Sequence, residues 1–206
     1  LFKKSGHIVV SAKTEAMPII SNPRKSLEGQ LFPAIYSFEP GTSSDQALGE
    51  MLNRFSAEIK SIPLVTVNGL STYDVLKIAS IIQVEADTKD FGKVAQVIYN
   101  RLKLGMPLQL NSTVQYAAGL RGRIALSNQA TKINSPFNTY RVIGLPPTPI
   151  SNPSTLAIKA AMSPVSGDWL YFITVAPGDT RFTKDFKEFS DWNTLYNNNL
   201  AKGLFK

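Results

Sequence analysis

The sequence predicts an α+β fold in which helices dominate and a small β-hairpin lies near the C-terminus. Three observations carry this. Apolar residues recur at helical spacing in three stretches between residues 44 and 104. Two short runs rich in aromatic and β-branched residues, 170–175 and 181–183, flank a turn at Pro177-Gly178-Asp179. Hydrophobic residues make up 43% of the 206 and charged residues 18%, enough apolar material for a sizeable core and too little charge for disorder.

Each element has its own signal. Residues 1–26 contain one alternating apolar run, 7–12, and then 17–20 before Pro23, which suits one strand and an irregular connection. Residues 27–39 mix aromatics with Gly29 and Pro33 and suit an extended, packed segment. Pro40-Gly41 is a turn, and Thr42 or Ser43 can cap a helix over 44–59 with Leu48, Met51, Leu52 and Phe55 on one face. Asn68-Gly69 marks the next turn. Ser71 then caps a helix running towards Asp87, with Asp74 reaching back as a short capping box. Its apolar residues Val75, Ile78, Ala79 and Ile82 are widened by Leu76, Ile81 and Val84, so this helix should be buried. A third helix spans about 91–104, with Val94, Val97, Ile98 and Leu102 inward and Gly105 placed to end it. Residues 106–116 are polar, and Ser112 can open a short helix there. A basic turn at 119–127 carries Arg121 and Arg123. Residues 135–153 are too rich in proline for a helix or central strand and read as a rigid aromatic loop. Ser154 caps a helix to about Met162, and the hairpin is followed by a last helix over 185–197 bearing Phe186, Phe189, Trp192 and Leu195.

Composition removes several kinds of chemistry. Cysteine is absent, so disulfides, cysteine zinc sites and a thiol nucleophile are excluded. The one histidine, His7, has no catalytic context, which argues against a Ser-His-Asp triad or a multi-histidine metal site. The formal net charge of +7 is spread along the chain without a basic run, so it describes a solubilising surface with mild attraction for anions. No signal peptide or membrane span is visible, and the abrupt start at Leu1-Phe2-Lys3-Lys4 suggests a piece of something longer.

Glu85 is the anomaly of the pattern. It lies three, four and seven residues after Ile82, Ile81 and Ile78, which puts a carboxylate beside the greasy face of the buried helix. A poorly solvated carboxylate has a raised pKa. An acid kept protonated near neutral pH is what a general acid for glycosidic cleavage needs. The plainer alternatives are an ion-pair partner for Arg101 or Lys93, or a solvent-facing residue of the helix's last turn.

A set of short motifs then occurs in one order along residues 27–190. It comprises Leu27-Glu28-Gly29-Gln30-Leu31-Phe32-Pro33 with Tyr36, Ala79 to Glu85, Val94-Ala95 through Asn100-Arg101-Leu102, and Gly105-Met106-Pro107-Leu108-Gln109. Thr113-Val114 with Tyr116, Asn138-Thr139-Tyr140, Gly144-Leu145-Pro146-Pro147, Asn152-Pro153 and Tyr171-Phe172 complete it. In these the chain resembles the YceG-like family of endolytic murein transglycosylases. The resemblance implies a membrane-anchored bacterial lyase that cuts the MurNAc–GlcNAc β-1,4 bond within peptidoglycan glycan strands and leaves 1,6-anhydroMurNAc ends. It puts the catalytic acid on Glu85, and Gln109, Asn111, Thr113, Asn138 and Tyr140 in the sugar-binding groove, where each could instead stabilise a loop.

The resemblance also implies that 27–206 is the YceG-like catalytic domain, that 1–26 is the tail of a LysM-like subdomain, and that an N-terminal helix holds the protein at the cell membrane with its catalytic domain on the extracytoplasmic side. Glycan strands are the expected partner, with peptidoglycan synthases a further candidate; nucleic acid, metals and cofactors are not expected. The chain departs from the family at Asn111-Ser112, where Asp-Pro is usual, at Phe137 and Thr148, and at Thr180 and Phe189, where many members carry histidine. Losing the aspartate removes a possible second carboxylate, which disfavours a two-carboxylate hydrolase and leaves a one-acid mechanism intact. A glycan-binding domain without turnover and a nucleic-acid binder are the rival readings; Glu85 argues against the first and the lack of a basic stripe against the second.

Overall fold

A computed structural model describes residues 26–62, 64–120 and 130–205. The segment 1–25 and the basic turn with Arg121 and Arg123 lie outside the described residues, so the expected strand over 7–12 is not described. The elements are α1 (Ser44–Ser61), α2 (Thr72–Glu85), a 3₁₀ turn (Thr88–Asp90), α3 (Phe91–Lys103), α4 (Asn111–Ala118), a second 3₁₀ turn (Ala130–Lys132), α5 (Thr155–Met162), β1 (Tyr171–Ala176), β2 (Asp179–Thr183) and α6 (Phe186–Ala201). This is a helical body with one antiparallel hairpin, an α+β fold.

Helix α2 is the axis of the body. Its capping box forms as the sequence requires: the Asp74 amide donates to the Ser71 hydroxyl and the Ser71 amide to the Asp74 carboxylate. From Val75 to Ile82 only Lys77 escapes full burial, and it pairs with Asp74 at 2.7 Å. The helix packs against α5 and α3, and more lightly against α4. Each fully buried Leu, Ile or Val contributes about 1.5–3 kcal/mol of transfer free energy, so this one element supplies much of the core. The Tyr99 hydroxyl ties α3 to α5 by donating to the Ala161 carbonyl, and burial pushes its pKa up to about 12.

Two expectations need correction. Residues 27–39 are packed only as far as Phe32; beyond it Ile35 is wholly exposed, and no strand forms. Helix α4 opens at Asn111 with Leu110 as its cap, so Ser112 lies inside the first turn. The proline-rich loop, irregular as expected, is pinned to α2. The Ile150 amide donates to the Ser80 hydroxyl, the Ser151 hydroxyl to the Ser80 carbonyl and the Ser154 amide to Gln83. On its other side the Asn152 side-chain oxygen accepts from the Gly29 and Leu31 amides. Gly29 has φ +91, and a Cβ there would lie 2.6 Å from Pro149 Cγ, so both backbone and space demand glycine.

The hairpin pairs Tyr171 with Thr183 and Phe172 with Phe182, with an irregularity between Thr174 and Ala176. Two strands alone are marginal in water, and α3 with the 3₁₀ turn before it holds these. Asn100 donates to the carbonyls of Gly167 and Trp169, Arg101 to that of Leu170, and Lys89 to that of Gly178 at the turn. Helix α6 then packs back on β1. It runs four residues past the expected end, to Ala201, and none of its residues is buried.

Candidate active site

Between the helical body and the hairpin lies a groove of about 690 Å³. Glu85, the last residue of α2, stands on one wall with Gln109, Asn111, Ser112 and Tyr140; β1 and α6 form the other. Among the described residues lining the groove Glu85 is the one carboxylate, and neither Asp87 nor the buried Asp90 reaches it.

The placement of Glu85 follows from two helices meeting end to end. The carboxylate at the C-terminus of α2 accepts the Ser112 amide, at the second position of α4, over 2.8 Å. It thereby serves one of the four amides that a helix start leaves unpaired. Burial pushes the Glu85 carboxyl above the ordinary carboxylate range, and the Ser112 hydroxyl and amide pull the other way. The hydroxyl is itself buried without a hydrogen bond of good geometry in the structure, so only the amide holds the carboxylate directly. Desolvation outweighs both, which leaves an acid inclined to keep its proton.

Arg101 does not pair with Glu85. Its guanidinium donates to the carbonyls of Pro107, Leu108 and Leu170 and lies 5.2 Å from the Tyr171 ring centre. Lys93 instead faces the rings of Trp169 and Phe182. The ion-pair alternative thus has no support among the described residues.

The expected sugar-binding residues divide into two groups. Gln109, Asn111 and Tyr140 line the groove with Glu85. The Tyr140 hydroxyl donates to Asn111 Oδ1 at 2.6 Å, and its pKa is raised by burial and then by the Glu85 charge. Gln109 sits at φ 50, a left-handed backbone held by its amide bond to the Thr139 carbonyl. Thr113 and Asn138, in contrast, stand behind the wall. Thr113 is fully buried, bonded to the Leu110 carbonyl and the Thr139 hydroxyl. Asn138 is fully buried too; it donates to the carbonyls of Thr131 and Ile133 and accepts from the Tyr140 amide, which sets Tyr140 in place. Both act on the groove through neighbours and offer it no polar group.

The sequence pattern missed two contributors, the Ser112 amide and the wall made by β1 and α6. The second had a signal: Phe186, Phe189 and Tyr196 share one helix face, a stripe that reads equally well as core.

The YceG-like family matches residues 3–194. The chain belongs to the YceG-like family. Relatives agree with this. The chain is 39% identical over 170 residues to an endolytic murein transglycosylase of Bacillus subtilis (strain 168), covering 81% of this chain and 47% of that protein. It is 37% identical over 166 residues to the protein of that name from Streptococcus pneumoniae serotype 2 (strain D39 / NCTC 7466), covering 77% of this chain and 30% of the relative. A crystal structure of a YceG-like protein from Listeria monocytogenes superposes with a TM-score of 0.71 at 35% identity, over 80% of this chain and 54% of the other. This YceG-like chain therefore spans about half or less of the length of these curated relatives.

Proposed function

We propose that this YceG-like chain is an endolytic peptidoglycan lytic transglycosylase that cleaves the MurNAc–GlcNAc β-1,4 bond within glycan strands, with Glu85 as its acid and then its base. The observation that carries this reading is a lone, desolvated carboxylate in an open groove. Hydrolases of the usual kind employ two carboxylates, one of them to activate water or attack the sugar. One suffices if the nucleophile belongs to the substrate. Protonated Glu85 gives its proton to the glycosidic oxygen as the C1–O bond of N-acetylmuramic acid breaks. The 6-hydroxyl of the same sugar attacks C1, and the Glu85 carboxylate takes the hydroxyl proton. The ring closes as a 1,6-anhydro sugar, the acid is restored and no water is consumed.

Gln109, Asn111 and Tyr140 hold hydroxyl and acetamido groups beside the acid in this scheme. The names of the relatives support peptidoglycan as substrate. The same reading places the protein at the cell membrane through an N-terminal helix, its catalytic domain on the extracytoplasmic side and peptidoglycan synthases as neighbours.

The test is Glu85→Gln. Glutamine keeps the shape and can still accept the Ser112 amide, so the protein folds and binds glycan. Release of anhydro-ended fragments from purified peptidoglycan, read by mass spectrometry, should fall roughly a hundredfold to ten-thousandfold, as for loss of a general acid. Equal rates would remove Glu85 from the chemistry. Ordinary reducing ends from the parent would show a hydrolase, and binding without any turnover would show a glycan-binding domain.

A further inference from the structure

Helix α6 packs on the hairpin, yet none of its residues is buried. Its aromatic face instead lines the groove opposite Glu85, through Phe186, Phe189 and Tyr196. Tyr171 of β1 joins them. Its ring centre lies 5.6 Å from that of Phe186 and 5.2 Å from that of Phe189, the latter ring within 26° of parallel. Phe186 is 64% exposed. The other rings are half-buried, and a cluster of accessible rings inside a groove marks a place where something binds. Tyr171 is held in place: Arg101, anchored on three carbonyls, lies 5.2 Å from its ring centre. Aromatic side chains present much area at little cost in rotamer entropy.

The surroundings select the ligand. The groove carries amides and hydroxyls beside the rings, Asn193 and Tyr196 on α6 and Gln109 and Asn111 across from them. A pyranose ring has this mixed character, with an apolar C–H face and a rim of polar groups. An acyl chain would leave the amides unanswered, and a cationic peptide would find no carboxylate besides Glu85 among the described lining residues. We propose that the aromatic face formed by Tyr171, Phe186 and Phe189 is a stacking subsite for sugar units of the strand beyond the linkage being cut. The proposal rests on the glycan-cleaving reading above and deepens it. It makes grip grow with strand length, because only a strand long enough to pass the acid reaches the rings.

The experiment is calorimetric titration with peptide-free glycan strands, in the Glu85→Gln protein so that nothing is consumed. Adding Phe186→Ala or Phe189→Ala should weaken binding of long strands about tenfold, the loss expected of one stacking aromatic contact, and change binding of a disaccharide little. Phe186→Trp should restore the affinity. Phe186 is mostly exposed, so its variants fold, and Phe189→Leu keeps volume while removing the ring. Long strands bound as tightly by these variants as by Glu85→Gln alone would overturn the platform, and leave the cleavage reading standing if the parent still releases anhydro ends. No binding of any strand, with no anhydro ends from the parent, would overturn both. Self-association in sedimentation that Phe186→Ala abolishes would assign the face to a second copy and overturn the subsite as well.

Discussion

At the scale of single residues, Ser112 tempers the rise that burial imposes on the Glu85 carboxyl. The Ser112 hydroxyl has no hydrogen-bond partner in the structure, but it is near enough to draw the Glu85 pKa down, and it can rotate to donate once the acid is ionised. Ser112→Ala removes that donor and leaves the amide bond to Oε1. A donor to the charged form favours ionisation, so its loss raises the Glu85 pKa further. In the proposed mechanism Glu85 must be protonated to begin the reaction. The alkaline limb of kcat against pH should therefore move to higher pH, while the melting temperature changes little. A limb displaced towards acid would show that the hydroxyl supports the protonated form instead. Glu85 itself was legible in the sequence because a carboxylate interrupts an apolar stripe. Ser112 was not, because it answers Glu85 through its backbone across 27 residues. Thr113 and Asn138 have the right polarity for sugar binding, but residue type does not say which way a side chain points. Both are spent on internal carbonyls.

At the scale of elements, helix starts were readable wherever a side chain makes the cap, as at Ser43, Ser71 and Ser154. Helix α4 was misplaced by a residue because Leu110 caps it with no side-chain bond. The loop over 135–153 was rightly read as irregular, but its partner was invisible. A single side chain, Asn152, fastens it to residues 29–31 by accepting two amides at 2.7 and 3.1 Å. Asn152→Ala leaves both amides without that acceptor and should cost about 1–3 kcal/mol, read as a lower urea midpoint with an unchanged slope. Asn152→Asp keeps an acceptor oxygen and should recover most of it. An alanine variant as stable as the parent would show that water replaces the side chain.

At the scale of the whole molecule, Arg101 joins the two walls, with bonds to Pro107 and Leu108 on the acid side and to Leu170 on the hairpin side. Arg101→Ala strands three carbonyls at once, and losses of about 1–3 kcal/mol each predict a destabilisation of roughly 3 kcal/mol or more. Because Arg101 makes no ion pair with Glu85, the alkaline limb of the pH profile should stay where it is. Denaturant melts and kcat against pH check the two halves of this prediction. A limb moved to higher pH would reveal a charge interaction between the two residues. Lysine should rescue little, since an ammonium cannot reproduce the fork of donors. The helical body was legible from periodicity, which reports burial within one element. The meeting of α6 with the acid's wall was not, because an aromatic stripe looks the same whether it faces a core or an open groove.

Every residue lining the acid's wall falls between 84 and 140, and every residue lining the facing wall between 171 and 205. Ribosomal synthesis runs in that order. A chain still being made therefore carries Glu85 before it has the facing wall that completes the groove. On the proposed function, holding a strand against Glu85 waits on residues 171–205, which are made after the acid's wall.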